Sequence, residues 1–301
     1  MLQAAGRDQA PPASLACGRF RLGLNRPLVM GILNVTPDSF SDGGRYVDPG
    51  AAIAQAERLV EDGADWIDVG AESTRPGSLP ITAEVELERL LPVLGALVGL
   101  GVPISVDTRR AEVMQAALAL GVDCINDVEA LRSSEALRVV QSSNCAVCLM
   151  HMQASPGTMQ LAPTYDDVVL EVGQFLRDRV AVARAHGIAA ERIVVDPGIG
   201  FGKTTQQNLA LIAHAAELVP GYPVLIGLSR KRVVGEVTGR ALDERLAGSL
   251  GGALAAVAAG AAVVRVHDVA ATVDALAVWQ AVRDAGDDAQ EWSTRNARGF
   301  G

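Results

Sequence analysis

A chain of 301 residues, 49% hydrophobic and 20% charged, is long and apolar enough for a large core, which excludes disorder of the whole chain. Only 4% of it is aromatic, so that core must be built from Ala, Val, Leu and Ile. A formal net charge of −9 leaves no basic footprint for a nucleic acid, and an anionic ligand has to be held by a local cluster of cations against the overall field.

Residues 1–18 read as a flexible N-terminal tail: Arg7 and Asp8 interrupt them and no long apolar run precedes Leu28, so a secretory signal is not expected. Residues 19–27 read as a β-hairpin ahead of the first strand. Strands are then expected at 28–33, 66–69, 103–106, 124–125, 146–150, 193–195, 224–227 and 263–266. Helical periodicity falls between them, at 50–62, 109–120, 166–186, 206–218 and 272–284 among others. Residues 246–264 carry no charge over nineteen positions, close to a membrane span. Most of them are Ala and Gly, however, and Leu246, Leu250, Leu254 and Val257 fall on one helical stripe, so the run reads as a buried helix feeding a strand.

Strands alternating with helices require parallel strands and crossover connections. Eight such units fit a single (β/α)8 TIM barrel better than an open sheet, with the hairpin closing the barrel floor. The barrel is expected over residues 19–285, followed by a C-terminal tail at 286–301. Every strand runs into a polar group: Asn34; Glu72; Asp107; Asn126 and Asp127; His151; Asp196; Ser229 to Lys231; Arg265 and His267. Polar residues also follow strands because loops are wet, but eight together at the C-terminal ends of barrel strands point to a pocket on that face.

The four cysteines, Cys17, Cys124, Cys145 and Cys148, are too few and too scattered for a disulfide framework, which suits a reducing cytoplasm. Extended geometry puts Cys145 and Cys148 on opposite faces of a strand, and no second pair completes a zinc site. The segment from Asp196 to Thr204 imitates a phosphate loop but has Pro197 where the first glycine of that pattern belongs. Its glycines suggest instead a close backbone approach to a flat or anionic group, with Thr204 or Thr205 capping the next helix.

Two longer runs, from Met30 to Gly44 (MGILNVTPDSFSDGG) and from Asp68 to Gly77 (DVGAESTRPG), are similar to the two signatures of the dihydropteroate synthase family. Ser105 to Thr108, Ile125 to Val128, Leu149 to Gln153, Asp196 to Lys203, Ser229 to Lys231 and Arg265 to Val269 agree in the same order, covering the chain from about residue 20 to 285. The resemblance implies an enzyme of folate synthesis, dependent on Mg2+ and homodimeric. It would join 6-hydroxymethyl-7,8-dihydropterin pyrophosphate to p-aminobenzoate, with small molecules and neither nucleic acid nor membrane as partners.

By that resemblance Asp107, Asn126, Asp196 and Lys231 would bind the pterin and Phe201 would wall it. Asn34, Arg265 and His267 would hold pyrophosphate, with Asn34 also a ligand to Mg2+. Thr74, Arg75, Pro76 and Ser229 would meet p-aminobenzoate, while Phe40 and Asp42 help close the first loop. The residue types suit this chemistry, since a buried carboxylate accepts paired N–H donors of an amino-pyrimidinone edge and an arginine fork grips an anion. An aspartate before a helix also serves as an N-cap, and His151, between Met150 and Met152, reads as packing. Ala71 departs from the double glycine frequent in the family. Two other readings share the pterin residues: a pterin-dependent methyltransferase, which has no use for a pyrophosphate clamp, and a non-catalytic pterin-binding paralogue, which has no use for Thr74 to Pro76.

Overall fold

The computed structural model describes residues 12–36, 48–72, 81–153 and 164–297, with side chains as far as 286. A hairpin of β1 (Ser14–Cys17) and β2 (Phe20–Gly23) comes first, its register pairing Cys17 with Phe20 around a two-residue turn. The sequence places this hairpin at 19–27 and counts 14–18 with the tail; the structure moves its start to Ser14. The reason is burial: Leu15 and Cys17 point into the barrel floor, an alternation too short to stand out from the residues before it.

Eight parallel strands follow: β3 (Leu28–Asn34), β4 (Trp66–Gly70), β5 (Ile104–Asp107), β6 (Cys124–Asp127), β7 (Ala146–Met150), β8 (Ile193–Asp196), β9 (Leu225–Ile226) and β10 (Val263–Val266). Their order, β8-β7-β6-β5-β4-β3-β10-β9, is that of a rolled sheet. The roll closes between β8 and β9 through one bridge, Val195 to Val224, where the Val195 amide donates to the Pro223 carbonyl at 3.0 Å.

The helices wrap outside: α1 (Pro49–Glu61), α2 (Ala83–Leu97), α3 (Ala111–Ala119), α4 (Ser134–Gln141), α5 (Val168–Ala185), α6 (Thr205–Ala213), α7 (Arg232–Thr238), α8 (Leu246–Ala258) and α9 (Val269–Ala297). The uncharged run is α8 followed by β10, as its stripe predicts, and no helix among the described residues is long and apolar enough to cross a membrane. The helix expected at 206–218 stops at Ala213, because the Ala216 amide turns to the Ala259 carbonyl (3.1 Å) and Ala215–Glu217 tighten into a 3-10 turn. The last helix continues past residue 285.

Period-two alternation divides the strand residues between two cores. Outward-facing Val29, Leu33, Ile67, Val69, Ile104, Val106, Val264 and Val266 pack under the helices. Inward-facing Leu28, Met30, Trp66, Cys124, Cys148, Val194, Leu225 and Val263 fill the lower barrel together with Leu15 and Cys17 of the hairpin. Cys145 belongs to the outer core and Cys148 to the inner, as extended geometry predicts, and all four cysteines are free.

Ion pairs pin the floor. Asp123 accepts from the Arg19 amide (3.1 Å), Arg19 Nε (3.0 Å), Arg19 Nη2 (2.8 Å) and the Ile104 amide (3.2 Å). Gly18, at φ +55°, lets the hairpin come this close: a Cβ there would lie 2.6 Å from Asp123 Oδ1. Asp65 takes both terminal nitrogens of Arg26, at 3.0 and 2.5 Å.

Candidate active site

At the opposite end of the barrel the inward positions are polar. The ladders set Asn34, Gly70, Asp107 and Asn126 side by side on β3, β4, β5 and β6. Gly70 keeps this row open, since a Cβ on it would lie 3.5 Å from Asp107 Cβ and 3.9 Å from Asn34 Oδ1. Arg265 reaches across from β10, donating from Nε to Asp68 Oδ2 at 2.6 Å and from Nη2 to Asp107 Oδ2 at 3.3 Å. The same Asp68 oxygen accepts from Asn126 Nδ2 at 3.0 Å. The amide nitrogen is the donating end of this contact, which fixes the orientation of the Asn126 side chain.

Asp107 shares this guanidinium with a second carboxylate. Burial, and then the neighbouring charge of Asp68, push the Asp107 carboxyl up to about 7 although Arg265 opposes the shift. Asp107 does not act as a helix cap; the cap position of α3 is Arg110. Asp196, at the end of β8, is also raised by burial, with Lys231 opposing, and its Oδ1 accepts from the Gly198 amide at 2.7 Å. Burial brings Lys231 down to about 8. Its Nζ donates to the Ile199 carbonyl at 2.6 Å and lies 4.7 Å from the centre of the Phe201 ring, which packs on Val128, Met150 and Met152.

His267 and Ser229 form a pair. The serine hydroxyl accepts from the His267 amide at 3.2 Å and lies 3.1 Å from its Nδ1. With the hydroxyl proton given to Nδ1, the ring keeps its own proton on Nε2 as a donor. Burial and then Arg265 lower His267 to about 4, so at neutral pH it offers a hydrogen bond and no charge. Ser229 is thereby engaged in orienting the imidazole.

The glycine-rich turn after β8 is shaped by His151. Gly198 has φ +69°, and a Cβ there would fall 1.9 Å from the His151 carbonyl oxygen, so only glycine fits. His151 itself is buried edge-on against Phe175 and held neutral, its pKa lowered to about 3 chiefly by burial, which agrees with packing. Thr204 caps α6 in a full capping box with Gln207.

Sequence reasoning singled out neither Asp68 nor Lys203. Asp68 is fully buried, and its Oδ1 has no hydrogen-bond partner. The signal was present: an aspartate between Ile67 and Val69, two residues after Trp66, must face inward with it. Lys203 buries its ammonium among the carbonyls of Phe201 (2.9 Å) and Gly198 (3.1 Å) and Nδ1 of His151 (3.0 Å), and burial lowers it to about 7. Nothing in the sequence marks that lysine as buried. Phe40, Asp42, Thr74, Arg75 and Pro76 lie outside the described residues.

Among the described residues no cluster of three or more His, Cys, Asp or Glu could enclose a metal ion. Asn34 contributes a single neutral oxygen at the rim. That donor set fits a Mg2+ ion which arrives with a diphosphate, since Mg2+ keeps most of its waters and takes only one or two protein ligands beside substrate phosphates.

The family pattern described as pterin binding enzyme matches residues 30–267. Dihydropteroate synthase of Neisseria meningitidis serogroup B is 52% identical over 273 residues, covering 88% of this chain and 96% of that one. The crystal structure of the Burkholderia cenocepacia dihydropteroate synthase complexed with 7,8-dihydropteroate superposes with a TM-score of 0.85 at 49% identity, covering 92% of this chain and 99% of the other. The Xanthomonas albilineans dihydropteroate synthase with 4-aminobenzoic acid gives a TM-score of 0.84 at 52% identity, covering 90% and 98%.

Proposed function

The chain belongs to the dihydropteroate synthase family, and from that premise we propose how its residues divide the reaction. It condenses 6-hydroxymethyl-7,8-dihydropterin pyrophosphate with p-aminobenzoate to give 7,8-dihydropteroate and pyrophosphate. The observation that carries the division is the rim itself, where Arg265 pairs with Asp68 and Asp107 and its charge also lowers His267, two residues further along the chain.

Asp107 and Asp196 accept the N–H donors of the pterin, Asn126 contributes its fixed amide oxygen, Lys231 donates to the ring and Phe201 walls it. Arg265, His267 and Asn34 hold the pyrophosphate, and a Mg2+ ion held by Asn34 and the diphosphate oxygens would supply further neutralisation of the leaving group. Thr74, Arg75 and Pro76 meet p-aminobenzoate, with Ser229 at its carboxylate end; Phe40 and Asp42 complete the first loop. Ser229 acts also through His267, whose ring it orients. A homodimer in the cytoplasm completes the reading; four unbridged cysteines support the compartment.

An arylamine is a weak nucleophile, so a path in which pyrophosphate departs early suits the site. Negative charge growing on the leaving oxygen falls to Arg265 and to the His267 N–H. Positive charge spreading into the pterin falls to Asp107 and Asp196. Two carboxylates held near a ring in a buried site favour that cation over the neutral ground state, which is what an SN1-like path requires. Incubation with both substrates and Mg2+, with pyrophosphate and dihydropteroate measured, tests the reaction. Single-turnover release of pyrophosphate without the amine tests the path; no release until the amine is added would establish a concerted displacement instead.

A further inference from the structure

We propose that Lys203 is a positioning residue for Lys231: from inside the glycine-rich turn 198–202 its buried ammonium fixes the backbone that carries the Ile199 carbonyl and the Phe201 ring to Lys231. The consequence for binding rests on the reading above that Phe201 and Lys231 meet the pterin.

Backbone preference alone does not fix this turn. Gly198, Gly200 and Gly202 have φ of +69°, +85° and +64°, and glycine, which visits both signs of φ freely, loses the most freedom when it is held in one place. Within the turn the Phe201 amide donates to the Gly198 carbonyl at 3.0 Å. Asn208 Oδ1 accepts from the Gly200 amide at 2.8 Å, and the Tyr165 hydroxyl donates to the Gly202 carbonyl at 3.1 Å. Lys203 supplies the remaining contacts, and it is only 3% exposed.

An ammonium has three protons and no lone pair, and it meets three acceptors here: the Phe201 carbonyl at 2.9 Å, His151 Nδ1 at 3.0 Å and the Gly198 carbonyl at 3.1 Å. The lysine of the segment that imitates a phosphate loop is thus taken up by the loop's own carbonyls. Burying an ammonium costs stability, and an unbranched apolar side chain such as Met would fill the same place without that cost. What the ammonium alone supplies is several donors at one point. With them it holds the carbonyls of Gly198 and Phe201 and ties both to His151, which follows β7. The Ile199 carbonyl between them accepts from Lys231 Nζ at 2.6 Å, and the Phe201 ring centre lies 4.7 Å from the same atom. One lysine shapes the turn, and the turn seats the other.

The test compares Lys203→Met, which keeps the length and removes every donor, with Lys203→Gln, which keeps an N–H donor and serves if the first variant folds poorly. Hydrogen exchange at the Phe201 amide of the ligand-free protein should accelerate about tenfold in Lys203→Met and about threefold in Lys203→Gln. Calorimetry should find affinity for 6-hydroxymethyl-7,8-dihydropterin, the substrate without its pyrophosphate, weaker by about the same factors. Affinity for inorganic pyrophosphate should stay within about twofold, because Arg265 and His267 belong to β10 and its end and not to this turn. Equal losses for both ligands would reveal general loosening and overturn the proposal. Unchanged exchange at Phe201 would do the same, as would unchanged dihydropterin affinity with exchange accelerated. Lys231→Met is the control. If it leaves dihydropterin affinity unchanged, the reading of Lys231 fails and the proposal with it. If it weakens binding where Lys203→Met does not, the proposal alone is overturned.

Discussion

The two ends of this barrel use the same residue types to opposite effect. At the floor Asp123 collects four N–H donors and Asp65 takes both arms of Arg26, so each carboxylate is saturated by partners that nothing needs to displace. At the rim Asp68 leaves one oxygen without a partner, Asp107 has a 3.3 Å contact to a guanidinium shared with Asp68, and Asp196 sits in burial that raises its pKa. The floor spends its charges on holding the hairpin; the rim keeps unsatisfied capacity for a ligand. Among the carboxylates of the two ends, incomplete pairing therefore separates rim from floor where charge as such does not.

The sharpest way to break the comparison is Arg265→Ala. It should slow single-turnover release of pyrophosphate by about 30- to 1,000-fold, with or without the amine, as expected for the loss of one charge-assisted contact to the leaving group worth about 2–4 kcal/mol. Equal release by wild type and variant would remove Arg265 from the clamp. Next comes Asp196→Asn, which keeps the shape but turns an acceptor into a donor. Calorimetry should find pterin binding weaker by about 2–4 kcal/mol with the unfolding midpoint nearly unchanged.

The floor should answer in the other currency. Asp123→Asn should lower stability to urea by about 1–3 kcal/mol, while kcat and both KM values hold, because its partners lie at the far end of the strands from the substrates. A comparable loss of activity in the folded variant would show that floor and rim are not separable.

The smallest effect is that of pH. Asp107, raised to about 7, takes up a proton as pH falls through neutrality and gives up an acceptor, so pterin affinity should drop by about three- to tenfold between pH 8 and 6. For folding the sign is reversed. Between about pH 4 and 7 the native chain holds this proton while the unfolded chain has released it, so the group's contribution to stability is lost as pH rises across that window. Isothermal titration across the range, with Asp107→Asn as the flat reference, checks the binding half.

Much of this was legible before any coordinates. Eight apolar runs with polar ends, ordered as strand then helix, specify a barrel and the end of it that matters, because register and face follow from a period of two. The groups at strand ends announced themselves by standing where apolar residues stop. Asp68 did not, because it lies inside a strand and its importance depends on Arg265, a neighbour far away in sequence. Lys203 and Arg110 escaped for a related reason. Long cationic side chains are ordinarily solvated, and only the packing of other segments, Gly198 and Phe201 around one and Glu72, Glu86 and Ile81 around the other, reveals Lys203 as a buried connector and Arg110 as a half-buried one. The hairpin began earlier than expected because two inward residues are too few for a period to be seen.

The lone bridge between β8 and β9 gives the barrel a seam, flanked by two residues proposed to bind the pterin. Asp196 ends the strand on one side of it and Lys231 follows the strand on the other; the Lys231 ammonium, resting on the Ile199 carbonyl, spans the gap like a clasp. Every other junction of the roll is stitched by a ladder, whereas here a single bridge joins the two strands. A lysine that turns from that carbonyl toward a bound ring therefore trades one fastening for another. On the proposed assignment of Asp196 and Lys231 to the pterin, the wall that meets the ligand is the one with the least backbone stitching.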